Sequence, residues 1–241
     1  ELELAKKAAI DSGKFLLKNK QDLNVQTDSD PRDTKLKADI ESENLIKEII
    51  SSNSEYPILA EESGKSTESL GDTFWVIDPL DGTANFNRDI PICCVSIGLI
   101  KNMSPVLGVI YDFNNNELYE GSTSLDTSLL NAKNISVSNI DQKNEGILIT
   151  GLPFNTDYSN ESLTDMIIDM QSWKKVRMIG SAAMASCYVA SGKADLYKEN
   201  GIFFWDIVAG AAIVNSAGGS SEISNFKENY QVDVIFSNSQ I

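Results

Sequence analysis

The stretch Trp75-Val76-Ile77-Asp78-Pro79-Leu80-Asp81-Gly82-Thr83 decides how this chain is read. Phe74 to Ile77 form an apolar strand candidate that delivers Asp78 to its end. Pro79 has no N–H for a ladder, and Gly82 permits a tight turn. Two carboxylates three residues apart at such a turn can converge on one point, with the Leu80 carbonyl between them. Oxygen-only ligands of this kind suit a hard cation such as Mg²⁺. An Asp-x-x-Asp-Gly turn taken alone is as often a plain surface loop; the strand before it and Thr83 after it favour a site.

Working outward, strands and turns surround this segment. Tyr56 to Ala60 is a short strand candidate on the N-terminal side. Val95 to Ile100, Val106 to Tyr111 and Leu118-Tyr119 follow in hairpin-like succession. Leu2 to Lys18 has the spacing of an amphipathic helix, as does Ala38 to Ile50 with Ile40, Leu45, Ile46, Ile49 and Ile50. The polar stretch Gln21 to Arg32 reads as a loop. Beyond about residue 140 strands and helices alternate: strand Gly146 to Gly151, helix Ser162 to Trp173, helix Ser181 to Ser191, strand Asp195 to Tyr197, then helix Asp206 to Ala217 with a Gly218-Gly219 stop. The expected class is α/β, with an α+β half over 1–140 and an α/β half over 141–241. The seam is a change of pattern without a linker.

Composition narrows the function. Of 241 residues, 35 are acidic and 20 basic, a formal net charge of −15, with no cluster of basic residues to attract nucleic acid or anionic membrane. The strongest apolar run, around Ile90 to Ile100, is about half a membrane span. Three cysteines, Cys93, Cys94 and Cys187, form no disulfide framework and suit a reducing, cytoplasmic setting. No signal-peptide pattern is read at the opening, and since the chain starts at Glu1 rather than Met, residues ahead of it can be missing.

Further carboxylates follow the same strand-then-turn logic with weaker local support. Ala60-Glu61-Glu62-Ser63-Gly64 closes a short strand and is equally readable as a solvated turn. Asp206 precedes a helix and has an N-cap as its plain reading; Asp39 can sit on the exposed side of a helix. Assembled, however, Glu61-Glu62-Ser63, Asp78-Pro79-Leu80-Asp81-Gly82-Thr83, Trp205-Asp206 and Gly218-Gly219 resemble the inositol monophosphatase family over nearly the whole chain. Asp33 and Asp39 fall at that family's first acidic motif, and Gly180, Ser181, Ala182 and Glu199 at its substrate-contacting positions.

The resemblance implies a layered αβαβα sandwich and a phosphoric monoester hydrolase. Glu61, Asp78, Asp81, Asp206 and the Leu80 carbonyl would hold two or three Mg²⁺ ions; Glu61 and Thr83 would position the attacking water. Asp81 would also touch the substrate alcohol, Gly180, Ser181, Ala182 and Glu199 would line its pocket, and backbone N–H groups near Gly82 and Thr83 would hold phosphate oxygens. Homodimers and lithium inhibition are expected on the same ground. Two positions depart from the family pattern. Leu36 stands where the first motif carries Thr, which bears on how Asp39 engages a metal. The run Thr127-Ser128-Leu129-Leu130-Asn131-Ala132 replaces Gly-Ala-x-x-Asn-Gly.

The chain contains no histidine, which excludes phosphohistidine chemistry and an imidazole base. A metal that lowers the pKa of its bound water supplies the missing function. Other phosphatase designs fail on single residues. An Asp-x-Asp-Gly-Thr nucleophile needs Asp where Pro79 stands, and a Cys-x₅-Arg loop needs Arg where Lys193 follows Cys187. A binding protein that keeps the pocket without turnover, or a structural protein, are the non-enzymatic alternatives. Thr83-Ala84-Asn85-Phe86 is closer to the inositol phosphatase form than to the nucleotidase form, so a polyol monophosphate is expected ahead of a phosphoadenosine nucleotide, fructose 1,6-bisphosphate or histidinol phosphate.

Overall fold

A computed structural model describes residues 1–30, 33–152 and 158–241, with the side chains of residues 29, 30 and 33 outside the description; the expectation for Asp33 therefore lies outside it. The backbone is a five-layer α/β/α/β/α stack. The first layer is α1 (Leu2–Lys18), ending beside the one-turn α2 (Lys20–Leu23), together with α3 (Lys37–Ser51). It covers an eight-stranded sheet.

That sheet is built from β3 (Ile58–Ala60), β4 (Gly64–Lys65), β5 (Thr73–Asp81), β6 (Cys94–Lys101), β7 (Ser104–Asp112), β8 (Glu117–Ser122), β9 (Thr127–Leu130) and β10 (Lys133–Ile135). From β5 to β10 it is an antiparallel meander, and β3 joins β5 in parallel. Strand alternation splits β5 between two cores. Trp75 and Ile77 pack with α1 and α3, whereas Phe74 and Val76 pack on the opposite side.

On that opposite side lie α6 (Ala182–Ala190) and α7 (Phe204–Ser216), the middle helical layer. Beyond them is a five-stranded sheet in the order β12 (Lys175–Arg177), β11 (Ile147–Thr150), β13 (Leu196–Phe203), β15 (Gln231–Ser237), β14 (Ser220–Ser224). Its β11 runs parallel to both β12 and β13, and β15 antiparallel to β13 and β14. The outer helix α5 (Asn160–Gln171) adds Met170 to a small cluster with Leu148, Trp173 and Leu196.

Being sandwiched between two sheets, α7 is apolar on nearly all sides, and each large aliphatic side chain buried there contributes about 1.5–3 kcal/mol. It lies in a trench of glycines. A Cβ at Gly98 would stand 2.6 Å from Val208 Cγ1, one at Gly121 2.7 Å from Ile213 Cα, and one at Gly108 would collide with the Ala209 carbonyl. The helix backbone thereby rests almost directly on the sheet.

Several expectations need correction. The stretch read as a loop contains α2 and β1 (Gln26–Asp30), and β1 pairs with β2 (Asp33–Leu36) as a separate two-stranded ribbon. Strand β5 does not stop at Asp78-Pro79: a bulge absorbs Pro79 and pairing resumes at Asp81 opposite Cys94. The strand begun at Leu196 runs on to Phe203. The Asn131-Ala132 departure forms the two-residue turn between β9 and β10, with both residues left-handed at φ 48° and 62°.

Candidate active site

The Asp78–Asp81 bulge lies at the end of β5, beside the C-terminal end of β3 and facing the N-termini of α6 and α7. These ends border a cavity of about 700 Å³ that Glu61, Asp78, Leu80, Asp81, Glu199 and Asp206 all line. Gly180, Ser181 and Ala182 line the same cavity, as do Gly82 and Thr83. The sequence-expected positions thus come together, with Asp39 just behind them through Thr83.

Each carboxylate is oriented by hydrogen bonds to its own neighbourhood. Asp78 Oδ1 accepts from the Leu80 N–H at 2.9 Å. Asp81 Oδ2 accepts from Ser181 Oγ at 2.8 Å and from the Ala183 N–H at 2.5 Å. Asp206 Oδ2 accepts from the Phe203 N–H at 3.1 Å. All three residues line the cavity, where Asp78 is further hydrogen-bonded to the Glu61 side chain and Asp81 to the Ala182 N–H. Asp39 differs: Oδ2 accepts from the Leu36 N–H at 2.7 Å and Oδ1 from the Thr83 hydroxyl at 2.8 Å, so both of its oxygens are engaged. The Thr83 hydroxyl also lies 3.0 Å from the Leu80 carbonyl.

Two plain readings are thereby replaced. Asp39 is 2% exposed, hence buried rather than on the open face of α3. Asp206 is the third residue of α7 rather than its N-cap, which is Phe203. The first result follows from the phase of α3. Its buried face carries Ala38, Asp39, Ser42 and Glu43 while Ile40 is 43% exposed. Ser42 donates to the Pro79 carbonyl at 2.8 Å and Glu43 Oε2 accepts from the Glu62 N–H at 2.8 Å, so this polar face supports both acidic loops.

The electrostatics are those of a site short of positive charge. Asp78 and Asp81 are buried, and Glu61 and Asp206 half-buried along the cavity wall. Burial, then the charges of Asp39 and Glu62, raise the Glu61 carboxyl to about 8. Burial and the charges of Glu61, Asp81 and Asp206 push Asp78 well above the carboxylate range; burial with Glu61 and Asp81 does the same to Asp206. Burial lifts Asp81 to about 6 against the opposing bonds from Ser181 and Ala183, and Asp39 to about 7 against those from Leu36 and Thr83. Lys35 draws Glu61 down and pairs with Glu62 at 3.1 Å. Among the described residues lining the cavity there is no lysine or arginine.

Hard oxygen donors crowded without a cation fit a divalent metal. Among the described residues no three acidic side chains close on one point as a preformed cage. That is compatible with Mg²⁺, which is held by one or two carboxylates plus substrate phosphate and waters. The oxygen donors available along this wall are Glu61, Asp78, the Leu80 carbonyl, Asp81 and Asp206.

Farther along the cavity Glu199 sits under Gly151, with Tyr197 donating its hydroxyl at 2.9 Å; burial raises Glu199 to about 7. Ser181 is the N-cap of α6, accepting from the Met184 N–H at 3.2 Å while donating to Asp81. Thr34, Thr150, Leu152, Met178 and Ile202 also line the cavity without having been singled out in the sequence. They come from unrelated segments and share no spacing, so only the fold assembles them. Tyr197, two residues before Glu199 on β13, was findable from strand alternation.

Comparison with known proteins gives a consistent result. Residues 1–233 match the family described as the inositol monophosphatase family. An inositol-1-monophosphatase from Synechocystis sp. is 36% identical over 222 residues, 90% of this chain and 77% of that protein. A protein named Nus factor SuhB from Pasteurella multocida is 35% identical over 223 residues, 90% and 83% of the two chains. The solved inositol monophosphatase from Anabaena (Nostoc) sp. superimposes with a TM-score of 0.85 at 34% identity, covering 100% of this chain and 91% of its own.

Proposed function

Since the chain belongs to the inositol monophosphatase family and is a phosphoric monoester hydrolase of that superfamily, we propose that it hydrolyses the monophosphate of inositol or a related polyol with Mg²⁺ as cofactor. The observation that carries this reading is the set of four carboxylates, Glu61, Asp78, Asp81 and Asp206, lining one cavity with no lysine or arginine among its described lining residues. Two or three ions would be held by these residues and the Leu80 carbonyl. When bound, they neutralise the phosphate and activate water for in-line attack.

The chain's own groups do the rest. Thr83, oriented by Asp39, and Glu61 hold the attacking water, and Glu61 is the carboxylate placed to take up the proton that water gives up. Backbone N–H groups at Gly82 and Thr83 receive phosphate oxygens. Gly82 holds a left-handed conformation at φ 87°, and a Cβ there would stand 2.8 Å from the Ile92 carbonyl, so that turn suits glycine alone. Asp81, through the oxygen that Ser181 and Ala183 leave unused, reaches the departing alcohol. Gly180, Ala182 and Glu199 form the wall against which the alcohol rests, and Ser181 acts there chiefly by orienting Asp81.

The lining also speaks to substrate class. A second phosphate would meet Glu199 and no lysine or arginine among the described lining residues, so a monophosphate is favoured over a bisphosphate or a phosphoadenosine nucleotide. The proposal places the metal loops in a half spanning 1–140 and the alcohol wall with Asp206 in a half spanning 141–241. It extends to a homodimeric, lithium-sensitive, cytoplasmic enzyme, and the three free, buried cysteines suit a reducing compartment. Among the described residues no helix is long and apolar enough to cross a membrane. Phosphate release from a panel of esters, with and without Mg²⁺, tests the reading. Wild type should release phosphate from inositol monophosphate only with Mg²⁺ and Asp81→Asn should not; equal release by both proteins would refute the assigned mechanism.

A further inference from the structure

Asn85 belongs to the short helix α4 (Thr83–Asn87), two residues beyond Thr83, and it bridges to the 178–183 segment. Its Nδ2 donates to the Ile92 carbonyl at 2.8 Å, to the Ile179 carbonyl at 2.8 Å and, more weakly, to the Gly180 carbonyl at 3.3 Å. An amide NH₂ carries two hydrogens, so one serves Ile92 and the other is shared by Ile179 and Gly180. Three carbonyls around one group also settle which end of the amide is the nitrogen.

The 178–183 segment matters because it does two things at once. Met178, Ile179 and Gly180 form one wall of the cavity, and just beyond them Ser181 and Ala183 provide the donors that orient Asp81. The loop that begins at Asp81 therefore grips this segment twice. Asp81 itself holds the 181–183 end and Asn85 holds the 179–180 end. Without Asn85 the Asp81 contacts persist, while the wall ahead of them loses its tie to the phosphate side.

We infer that Asn85 is a positioning residue that fixes the cavity wall at residues 178–180 relative to the Asp81–Thr83 turn, and so sets affinity for the alcohol portion of the substrate. This rests on the proposed function in one respect, that the alcohol lies against that wall. Loss of an interaction made equally in ground and transition states raises KM and leaves kcat unchanged. In Asn85→Ala the KM for inositol monophosphate should rise about tenfold, the equivalent of about 1.4 kcal/mol. Its kcat should stay within about twofold, and the inhibition constant of inorganic phosphate, which lacks the alcohol, should not move.

A parallel rise of KM and the phosphate constant, or no change in KM, would overturn the assignment. Backbone amide exchange provides a readout independent of turnover: it should quicken at residues 179 and 180 in the variant and stay unchanged in α1. Unchanged exchange at 179 and 180 sinks the tie even if wild type proves inactive on every ester, an outcome that would count separately against the proposed function. Asn85→Ser, which keeps one donor, should fall between wild type and Asn85→Ala, and it replaces Asn85→Ala if that variant does not fold.

Discussion

Asp39 and Asp206 occupy the same local position in two different helices, and the fold uses them differently. Each is the third residue of its helix, and each accepts the backbone N–H of an apolar N-cap, Leu36 or Phe203, whose own side chain has nothing to give in return. This is half of the reciprocal capping arrangement. At α7 the remaining carboxylate oxygen lies open to the cavity. At α3 it is taken by Thr83, which stands between Asp39 and the cavity. Local sequence thus specifies how both side chains are tethered. What stands in front of each helix decides whether the second oxygen serves a ligand or another side chain.

The hardest test of this contrast is kinetic. Asp206→Asn should lower kcat/KM about 10²–10³-fold, in the range for loss of one preorganised electrostatic group, and weaken Mg²⁺ binding in calorimetry. Asp39→Asn should cost about 10–100-fold, the range for an outer partner, with Mg²⁺ affinity little changed. Equal loss of metal affinity in the two variants would erase the distinction.

Stability should move in opposite directions. Asparagine keeps one oxygen, enough for the single bond of Asp206, whereas at Asp39 it sets an NH₂ against the Thr83 hydroxyl and loses the charge-assisted bond that hydroxyl donates. In thermal melts of metal-free protein, Asp206→Asn relieves repulsion and should raise Tm by about 2–4 °C, the shift for about 1 kcal/mol in a chain of this size. Asp39→Asn should lower it by a similar amount. A fall in both would mean that repulsion around Asp206 is weaker than its burial implies.

The pH dependence sharpens the same point. Carboxyls raised above their unfolded values tolerate the neutral form and penalise the charged one. Their contribution is full below the ordinary carboxylate pKa of about 4 and is lost as pH rises through the folded values. Those values are about 6 for Asp81, about 7 for Asp39 and about 8 for Glu61, with Asp78 and Asp206 also held well above the usual carboxylate range. Metal-free Tm should therefore fall between pH 5 and pH 8, and Mg²⁺ should offset the fall increasingly as pH rises. Asp206→Asn should flatten the slope more than Asp39→Asn; an identical slope in all three proteins would count against coupling through Asp206.

The smallest effect on turnover concerns the N-cap. Leu36→Thr adds a cap worth about 1 kcal/mol but removes a fully buried leucine, a loss of about 2–5 kcal/mol when cut back to alanine. A net destabilisation of about 1–2 kcal/mol with turnover preserved is expected from urea unfolding and phosphate release. A gain in stability would show that the family's threonine is the better residue even in this core.

Much of this was legible before any coordinates. The apolar run ending in Asp78, the glycine at 82 and the helix spacing of residues 2–18 are local signals, and each is met in the fold. The ribbon of β1 and β2 was not legible because Gln26-Thr27-Asp28-Ser29-Asp30 has no apolar alternation to mark a strand. The phase of α3 was hidden for a different reason. The first half of its buried face carries Asp39, Ser42 and Glu43, the latter two held by contacts with Pro79 and Glu62, and periodicity counts only apolar residues. Asn85 was visible as a letter in the Thr83 motif, but its carbonyl partners at 179 and 180 are far along the chain and required the fold.

The glycine trench beneath α7 carries a consequence for how this protein can vary. Gly98, Gly108 and Gly121 hold no proton, ligand or substrate, yet they set the height at which the helix bearing Asp206 rides above the sheet bearing Asp78. A single methyl group at Gly108, remote from any carboxylate, would have to lift the helix from the Ala209 carbonyl. The carboxylates would then part without one of them having changed. Sequence drift in this enzyme is therefore constrained at positions where the functional requirement is an absence of atoms.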